Sequence, residues 1–177
     1  MSADRITAKD LSPPKILDQD DDVSKFTCGI KDMDEFIQRE ALDFQKECLG
    51  VTYLFMHDKE LVGFATLSMA DLKREKMEAK HRLQSKIENY PALLIGQLAV
   101  CEDLQGQDVG TFICDFCFDR ALRFSKIVGC RFMFVNAIES ALGFYRKYGF
   151  VLLPRQEGRE QKVMFLDISK ATEPLST

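Results

Sequence analysis

The fold is decided by the stretch Gln97-Leu98-Ala99-Val100 and by Gln105-Gly106-Gln107-Asp108-Val109-Gly110-Thr111, which follows shortly after it. The first four residues end a nearly continuous apolar run over 93–100, which is typical of a central strand. The second group is a polar loop that leads into a helix from about Gly110. Free N–H groups at a helix start, with the positive end of the helix dipole behind them, suit a pyrophosphate. Taken alone, however, these residues are more typical of an ordinary strand-to-helix turn, and no Gly-Lys-Ser/Thr follows to make a P-loop.

The residues on both sides of this stretch alternate between helical and strand patterns. The spacing predicts a helix over 32–50, a hairpin of strands over 51–56 and 61–68, a surface helix or two short ones over 71–90, a strand over 93–100, a helix over 110–126, a strand over 131–135, a helix over 141–147, and strands over 151–153 and 163–168. This order predicts a mixed α/β (α+β) fold, in which a parallel βαβ crossover joins an antiparallel first half.

Length and composition indicate a single globular domain. The chain has 177 residues, of which 46% are apolar and 29% are charged, and its net charge is −4. That acidic balance argues against a protein that coats nucleic acid. We expect no membrane span, no signal peptide and a cytoplasmic location. The expected domain covers 14–170, between a flexible segment over 1–13 and a tail over 171–177.

Cys114 and Cys117 form a lone C-x-x-C motif. A zinc site usually needs a second such pair or histidines at matching spacing, and His57 and His81 do not provide it. Because both cysteines fall on one face of a predicted helix, we expect them to be core thiols, and we expect no metal site.

A second stretch of sequence makes the first one more specific. It is Ala141-Leu142-Gly143-Phe144-Tyr145-Arg146-Lys147-Tyr148-Gly149-Phe150. Single aromatic residues here would be packing residues by default. Together with the loop about 35 residues upstream, the pattern resembles the GCN5-related N-acetyltransferase (GNAT) superfamily, with its Q/R-x-x-G-x-G/A and A-x-x-F-Y-x-x-x-G-F motifs. The resemblance covers about residues 14–170. It implies the acyl-CoA N-acyltransferase fold, a central mixed and mostly antiparallel sheet with flanking helices.

The resemblance also implies acetyl-CoA as co-substrate and assigns the residues that hold it. These are Leu98, Ala99 and Val100 in the strand and Gln105, Gly106, Gln107, Asp108, Val109, Gly110 and Thr111 in the loop. Tyr145 matches the catalytic tyrosine that protonates the departing thiolate. Phenols and thiols have similar ordinary pKa values, so that proton transfer is roughly balanced. No residue stands out as the general base.

One branch of the family is similar in further motifs. Phe26-Thr27-Cys28-Gly29 followed by Met33-Asp34-Glu35-Phe36-Ile37 resembles its opening, and Tyr90-Pro91 before Ile95-Gly96-Gln97 resembles its central strand. That branch includes toxins that acetylate the amino group of aminoacyl-tRNA. Three positions depart from the pattern: Asp108 stands where glycine is usual, Gln97 where the toxins commonly have arginine, and Ile138 where many GNAT enzymes have asparagine.

Three functions follow from these residues. The main prediction is an N-acetyltransferase that acts on a primary amine of a small molecule or a protein. The alternatives are toxin-type acetylation of aminoacyl-tRNA and a non-catalytic acetyl-CoA-binding module, which Asp108 supports and Tyr145 opposes. A homodimer is compatible with each of them, whereas an antitoxin partner is implied only by the toxin alternative.

The charge distribution bears on the acceptor. Residues 71–90 carry six basic and four acidic side chains, and residues 139–162 carry five and three. In the family's fold these segments flank the substrate side, which permits an anionic acceptor such as tRNA. Two solvated surfaces explain the same charges at least as well, so a tRNA acceptor is not the favoured prediction.

Overall fold

The computed structural model describes residues 6–170, and within them seven strands form one sheet. The strands follow the order β1-β2-β3-β4-β5-β7-β6, in which β4 and β5 are parallel. Their bounds and those of the helices are β1 Lys15–Ile16, α1 Lys31–Glu35, α2 Ala41–Lys46, β2 Val51–His57, β3 Glu60–Lys73, β4 Asn89–Val100, α3 Val109–Ile127, β5 Phe132–Ile138, α4 Leu142–Tyr148, β6 Val151–Leu152 and β7 Gln161–Asp167. The predicted mixed α/β fold with one parallel crossover is confirmed.

One compact unit consists of the described residues up to Ser68 together with Gly96–Cys117. Its core lies between the α1–α2 segment and the sheet, and its fully buried members are Leu17, Phe26, Cys28, Phe36, Ile37, Ala41, Leu54, Phe64 and Ala99. The predicted hairpin turns at Asp58 and Lys59, whose φ angles of 47° and 68° are those of a type I′ turn.

The helix predicted over 32–50 forms in pieces. A π-helical turn at Phe36–Glu40 separates α1 from α2. The helix ends at Lys46 rather than at Gly50, because Cys48 adopts a left-handed φ of 58°. Gly50 is required there for space, since a Cβ on it would lie 2.6 Å from Ser68 Oγ.

The other compact unit consists of Met69–Ile95 and the described residues from Phe118 onward. Ala92–Ile95 of β4 pair with Phe132–Val135 of β5, and β7 pairs with the other edge of β5. Its buried apolar residues are Leu72, Met77, Tyr90, Ala92, Phe132, Phe134, Leu153 and Phe165. At the start of β5, Arg131 donates two hydrogen bonds of 3.0 Å to the Asp167 carboxylate.

For the segment over 71–90, the prediction of one surface helix is wrong, and the alternative of two short ones is nearer to the structure. β3 continues to Lys73, β4 begins at Asn89, and the chain between them forms only two short 3-10 turns, Arg74–Lys76 and Ala79–His81. The Leu83 N–H donates to the Tyr90 hydroxyl and the Arg74 N–H donates to the Glu88 carbonyl, so tertiary bonds replace the helical ones. Met77 is the most deeply buried side chain of the chain between β3 and β4, with 1% of its surface exposed.

The predicted terminal segments are only partly described. The tail over 171–177 and residues 1–5 lie outside the described residues, whereas Ala8–Asp10 form a 3-10 turn and the Ser12 N–H donates to the Met56 carbonyl. From residue 6 to residue 170, no helix is long and apolar enough to cross a membrane.

Candidate active site

The loop after β4 has the backbone geometry of an anion site. It begins with a 3-10 turn at Glu102–Leu104, and Gly106 and Asp108 then adopt left-handed φ angles of 78° and 65°. The Phe112 N–H donates to the Asp108 carbonyl at 3.0 Å, which is the first helical bond of α3. The N–H groups of the three preceding residues therefore have no carbonyl acceptor within the helix, and left-handed turns of this kind make concavities that bind anions.

Two glutamines of this loop use their side chains inside the protein. Gln105 Nε2 donates to the carbonyls of Cys28 at 2.9 Å and Val100 at 3.1 Å. Gln107 Oε1 accepts the Ile6 N–H, and its Nε2 donates to the Asp103 carbonyl. These side-chain amides thus shape the loop. The backbone N–H groups at the start of α3 are the donors left for a phosphate.

The end of β4 is closely packed against β3. The Cys101 N–H donates to the Val62 carbonyl at 2.8 Å. A Cβ on Gly63 would lie 2.9 Å from the Ala99 carbonyl oxygen and 2.7 Å from Ile113, so only glycine fits there. Leu98, Ala99 and Val100 lie beyond the four residues of β4 that pair with β5. Their role in holding the pantetheine arm stays a prediction from the resemblance.

Tyr145 belongs to the other unit and is buried in α4, with 7% of its surface exposed. Its ring contacts Phe144 and Phe150 edge-on, with centroids at 5.1 and 5.3 Å. The helix ends at Gly149, which has φ +119° and donates its N–H to the carbonyls of Tyr145 and Arg146. Tyr148 is half-buried and packs against Phe150 at 5.9 Å.

The cysteines do not form a reactive group. All six are free thiols, and Cys114 and Cys117 are buried, as expected of core residues. Burial raises the pKa of the Cys117 thiol to about 12. Burial, followed by the neighbouring Asp34 carboxylate, raises the pKa of the Cys28 thiol to about 11. These thiols stay protonated at neutral pH, so they are poor nucleophiles. No group of three or more His, Cys, Asp or Glu residues within 6–170 could hold a metal ion.

A basic cleft lies within the unit that contains Tyr145. It is a cavity of about 670 Å³, and its walls come from residues 75–82 and 153–163. We define the basic cleft by its four cationic residues, Lys76, Arg82, Arg155 and Arg159. Sequence reasoning had counted the charges of these two chain segments separately, and the structure brings them together.

Two anchors hold the walls of the basic cleft. Arg82 donates to the carbonyls of Met77 and Glu75 at 2.9 and 3.3 Å. Gln156 is 7% exposed and binds the carbonyls of Leu153 and Val163 and the Val163 N–H. Nothing in the sequence around Gln156 signalled this role, because its partners are fixed only by the β6–β7 pairing.

The family follows from a match to a known domain. The model of the acetyltransferase (GNAT) domain matches residues 49–152, which are more than half of the chain. The chain belongs to the GNAT acetyltransferase family. It is therefore an acyltransferase that uses acetyl-CoA as co-substrate, and its left-handed loop, helix start and glycine-packed strand end fit that molecule.

Several relatives of this GNAT protein are known. A tRNA-acetylating toxin of Mycobacterium tuberculosis (strain ATCC 25618 / H37Rv) is 24% identical over 144 residues, which are 81% of this chain and 86% of the toxin. AtaT, solved with acetyl-methionyl-tRNAfMet, superposes with a TM-score of 0.82 at 24% identity and covers 92% of this chain and 97% of its own. A tyrosine-to-phenylalanine mutant of KacT superposes with a TM-score of 0.82 at 21% identity and covers 91% and 96%. At these identities the solved structures establish the shared fold.

Proposed function

We propose that this GNAT enzyme transfers the acetyl group of acetyl-CoA to the amino group of an aminoacyl-tRNA, as a toxin-type acetyltransferase. The relatives support this acceptor better than the small-molecule or protein amine that was the main prediction from the sequence. One relative, from Mycobacterium tuberculosis, is a tRNA-acetylating toxin, and AtaT has been solved with an acetylated aminoacyl-tRNA. A toxin of this type would need an antitoxin partner, and AtaT is known in complex with AtaR.

The observation that carries the proposal is the basic cleft. The whole chain has a net charge of −4, yet four cationic side chains line this one cavity against the two acidic residues Glu75 and Glu78. Glu78 is engaged by Lys80 at 2.8 Å, which leaves less negative charge to neutralise the cavity. A small neutral or cationic amine gains nothing from such a surface, whereas an RNA backbone does.

The surface next to the basic cleft points in the same direction. A second cavity of about 470 Å³ shares Arg82 and Glu75 with it and adds Lys73, Arg74 and Lys86 against Asp71 and Glu88. The cationic residues of this second cavity outnumber its acidic residues by four to three. This excess is compatible with an RNA backbone.

The chemistry assigned to the remaining residues is that of thioester aminolysis. Acetyl-CoA, when bound, supplies an activated acetyl group and a thiolate leaving group. The N–H groups at the start of α3 would hold its pyrophosphate, and the backbone of Leu98-Ala99-Val100 would hold the pantetheine arm and polarise the thioester carbonyl. Tyr145 would give its proton to the departing thiolate. The attacking amine must be unprotonated, and no side chain is assigned as its base.

The acceptor is tested with labelled acetyl-CoA against charged tRNA, uncharged tRNA and a panel of small amines. We expect label only on charged tRNA, and growth arrest when the protein is expressed without a neutralising partner. Acetylation of small amines alone would restore the main prediction from the sequence. Binding of acetyl-CoA without transfer to any acceptor would favour the non-catalytic module.

The basic cleft is tested with the double variant Arg155→Ser/Arg159→Ser. If both residues contact phosphates, we expect the slope of log KM for charged tRNA against the logarithm of the salt concentration to fall by about two. Each lost phosphate contact lowers that slope by about one. The KM for acetyl-CoA should stay unchanged. Lys126→Ser/Lys170→Ser removes the same charge from the same unit outside the cavity and serves as the control. An equal effect of both double variants would show that net charge, not the basic cleft, guides the RNA.

A further inference from the structure

The motif at Phe26-Thr27-Cys28-Gly29, together with Asp34, has no part in the chemistry described above. Asp34 fixes the shape of this loop. Its carboxylate accepts the Cys28 N–H and the Thr27 hydroxyl, both at 2.8 Å. Burial raises the pKa of Asp34, but these hydrogen bonds outweigh it and the net pKa is lowered, so the carboxylate is ionised at neutral pH. The loop is therefore held from within by a charged acceptor.

The same loop is hydrogen-bonded to residues 105–111, which we call the acetyl-CoA loop. The Cys28 carbonyl accepts one N–H of the Gln105 amide, whose donors also reach the Val100 carbonyl. Next to it, the Glu102 N–H donates to the Thr27 carbonyl at 3.0 Å. Gln105 thus joins three elements: the motif loop, the end of β4 and the acetyl-CoA loop.

The motif loop is a firm support because the core anchors it. Phe26 and Cys28 are 4% and 5% exposed, and the Phe26 ring packs edge-on against Phe64 at 5.4 Å. Gly29 has a left-handed φ of 80°, and a Cβ on it would lie 3.5 Å from the Glu102 carboxylate. The carbonyls that receive the Gln105 amide are therefore fixed in space.

The acetyl-CoA loop needs such a support. Two backbone bonds in its first half are long: 3.4 Å from the Gln105 N–H to the Glu102 carbonyl and 3.3 Å from the Gln107 N–H to the Leu104 carbonyl. Ordinary N–H···O bonds are about 2.9–3.0 Å, so these two contribute little. The Gln105 side-chain bonds of 2.9 and 3.1 Å are the shorter ties between this loop and its surroundings.

We propose that Gln105 and Asp34 are positioning residues for acetyl-CoA, and we name them with Thr27 and Cys28 the brace. The brace holds the loop N–H groups in their binding geometry before acetyl-CoA arrives, so less ordering is required on binding. This role rests on the assignment of loop 105–111 as the pyrophosphate site. The proposal also gives a role to the Gln105 side chain, whereas the family motif concerns the backbone of the loop.

The chemistry of the amide gives a graded test at Gln105. Its two N–H donors serve two carbonyls, and arginine can do the same because it has five donors. Methionine keeps the length without any donor, and glutamate would place a charge against two carbonyl oxygens. We expect Gln105→Arg to bind acetyl-CoA within threefold of the wild type, Gln105→Met to bind at least tenfold more weakly and Gln105→Glu to bind more weakly still. Asp34→Asn, which keeps only one acceptor, should lose three- to tenfold.

A matched control separates positioning from general stability. Gln45 also makes two hydrogen bonds to the backbone of the same unit, to the Leu17 carbonyl and the Thr52 N–H, and none of its partners lies in the acetyl-CoA loop. Gln45→Met should lower the melting temperature about as much as Gln105→Met but leave the acetyl-CoA Kd within twofold. In turnover assays Gln105→Met should raise the KM for acetyl-CoA and leave kcat within threefold at saturation.

The measurements are calorimetric titrations with acetyl-CoA, melting curves without ligand, and steady-state kinetics. A Gln105→Met variant with the Kd of Gln45→Met, or a Gln105→Arg variant no better than Gln105→Met, would overturn the brace. Gly110→Asp, which puts a carboxylate at the helix start, separately tests the assignment of loop 105–111 as the pyrophosphate site. If that variant binds acetyl-CoA like the wild type, the pyrophosphate site is misplaced and the brace is wrong with it.

Discussion

Replacing Tyr145 with phenylalanine separates packing from catalysis at one position. The ring lies edge-on to Phe144 and Phe150 with centroids at 5.1 and 5.3 Å, and phenylalanine keeps both contacts. Each such pair is worth about 0.5–1.5 kcal/mol, and none of that is lost. The hydroxyl contributes at most about 1.5 kcal/mol through a hydrogen bond. For a chain of this size the melting temperature should therefore change by no more than a few degrees.

The expected loss in rate is on a different scale. A positioned general acid contributes about 10²–10⁴-fold, which is about 2.7–5.4 kcal/mol of transition-state stabilisation. If Tyr145 protonates the thiolate, Tyr145→Phe should lower kcat at least tenfold and leave the Kd for acetyl-CoA unchanged. The assay is release of free CoA thiol with charged tRNA as acceptor, together with a melting curve and a titration of the same preparation.

Tyr148→Phe is the control, since Tyr148 lies in the same helix and packs against the same Phe150 ring at 5.9 Å. Tyr148 lies on the same helix face but about 4.5 Å further along the axis. We therefore expect its hydroxyl to miss the position assigned to the Tyr145 hydroxyl and this variant to stay near wild-type activity. Normal turnover of both variants on a verified acceptor would refute the role of Tyr145. Another group would then protonate the thiolate.

Two further predictions concern charges. Asp108→Gly should bind acetyl-CoA as well as the wild type or more tightly, with the difference larger at low salt, because it removes a carboxylate near the pyrophosphate and glycine readily adopts the φ of 65°. Weaker binding in a titration would give the carboxylate a positive role. Asp167 is half-buried, and this partial burial raises its pKa, but hydrogen bonds from Arg131 and Ser169 lower the pKa further than burial raises it. The stability it adds is thus present above its unfolded pKa of about 3.9 and is lost as the pH falls through the lower folded value. Asp167→Asn should cost about 1–3 kcal/mol at pH 7, and urea unfolding should show that difference shrinking below about pH 4. A difference independent of pH would contradict the ion pair.

The β–α–β crossover could be predicted from the sequence because its signals are local. The run over 93–100 is apolar, the loop is polar with two glycines, and the apolar residues of α3 recur at helical spacing. The two strands of the crossover then have to be parallel, since the helix returns the chain to the end of the sheet at which the first strand began. The hairpin at Asp58 and Lys59 was readable for the same reason, as two strand patterns flank a short polar turn.

The segment over 71–90 was predicted as a surface helix or two short ones because it is rich in charge and carries a thin apolar stripe of Leu72, Ala79, Leu83 and Ile87. Its conformation depends instead on where two long strands end and on partners such as the Tyr90 hydroxyl, which single-chain periodicity does not contain. The side-chain roles at the site were out of reach in the same way. Gln105 bonds to Cys28, 77 residues away in the chain, and the basic cleft joins two segments that are remote in sequence.

Asp108 is the strongest objection that the sequence raised to an active enzyme, and its conformation answers that objection in part. The family prefers glycine where the backbone must be left-handed, and Asp108 adopts that conformation with φ 65°. Aspartate is among the residues that tolerate this region at small cost, because its short polar side chain can bond locally. The left-handed backbone of the loop is therefore kept with aspartate at this position, and the carboxylate stands on an exposed residue. What distinguishes an enzyme from a silent binding module is then the tyrosine of α4, not the missing glycine.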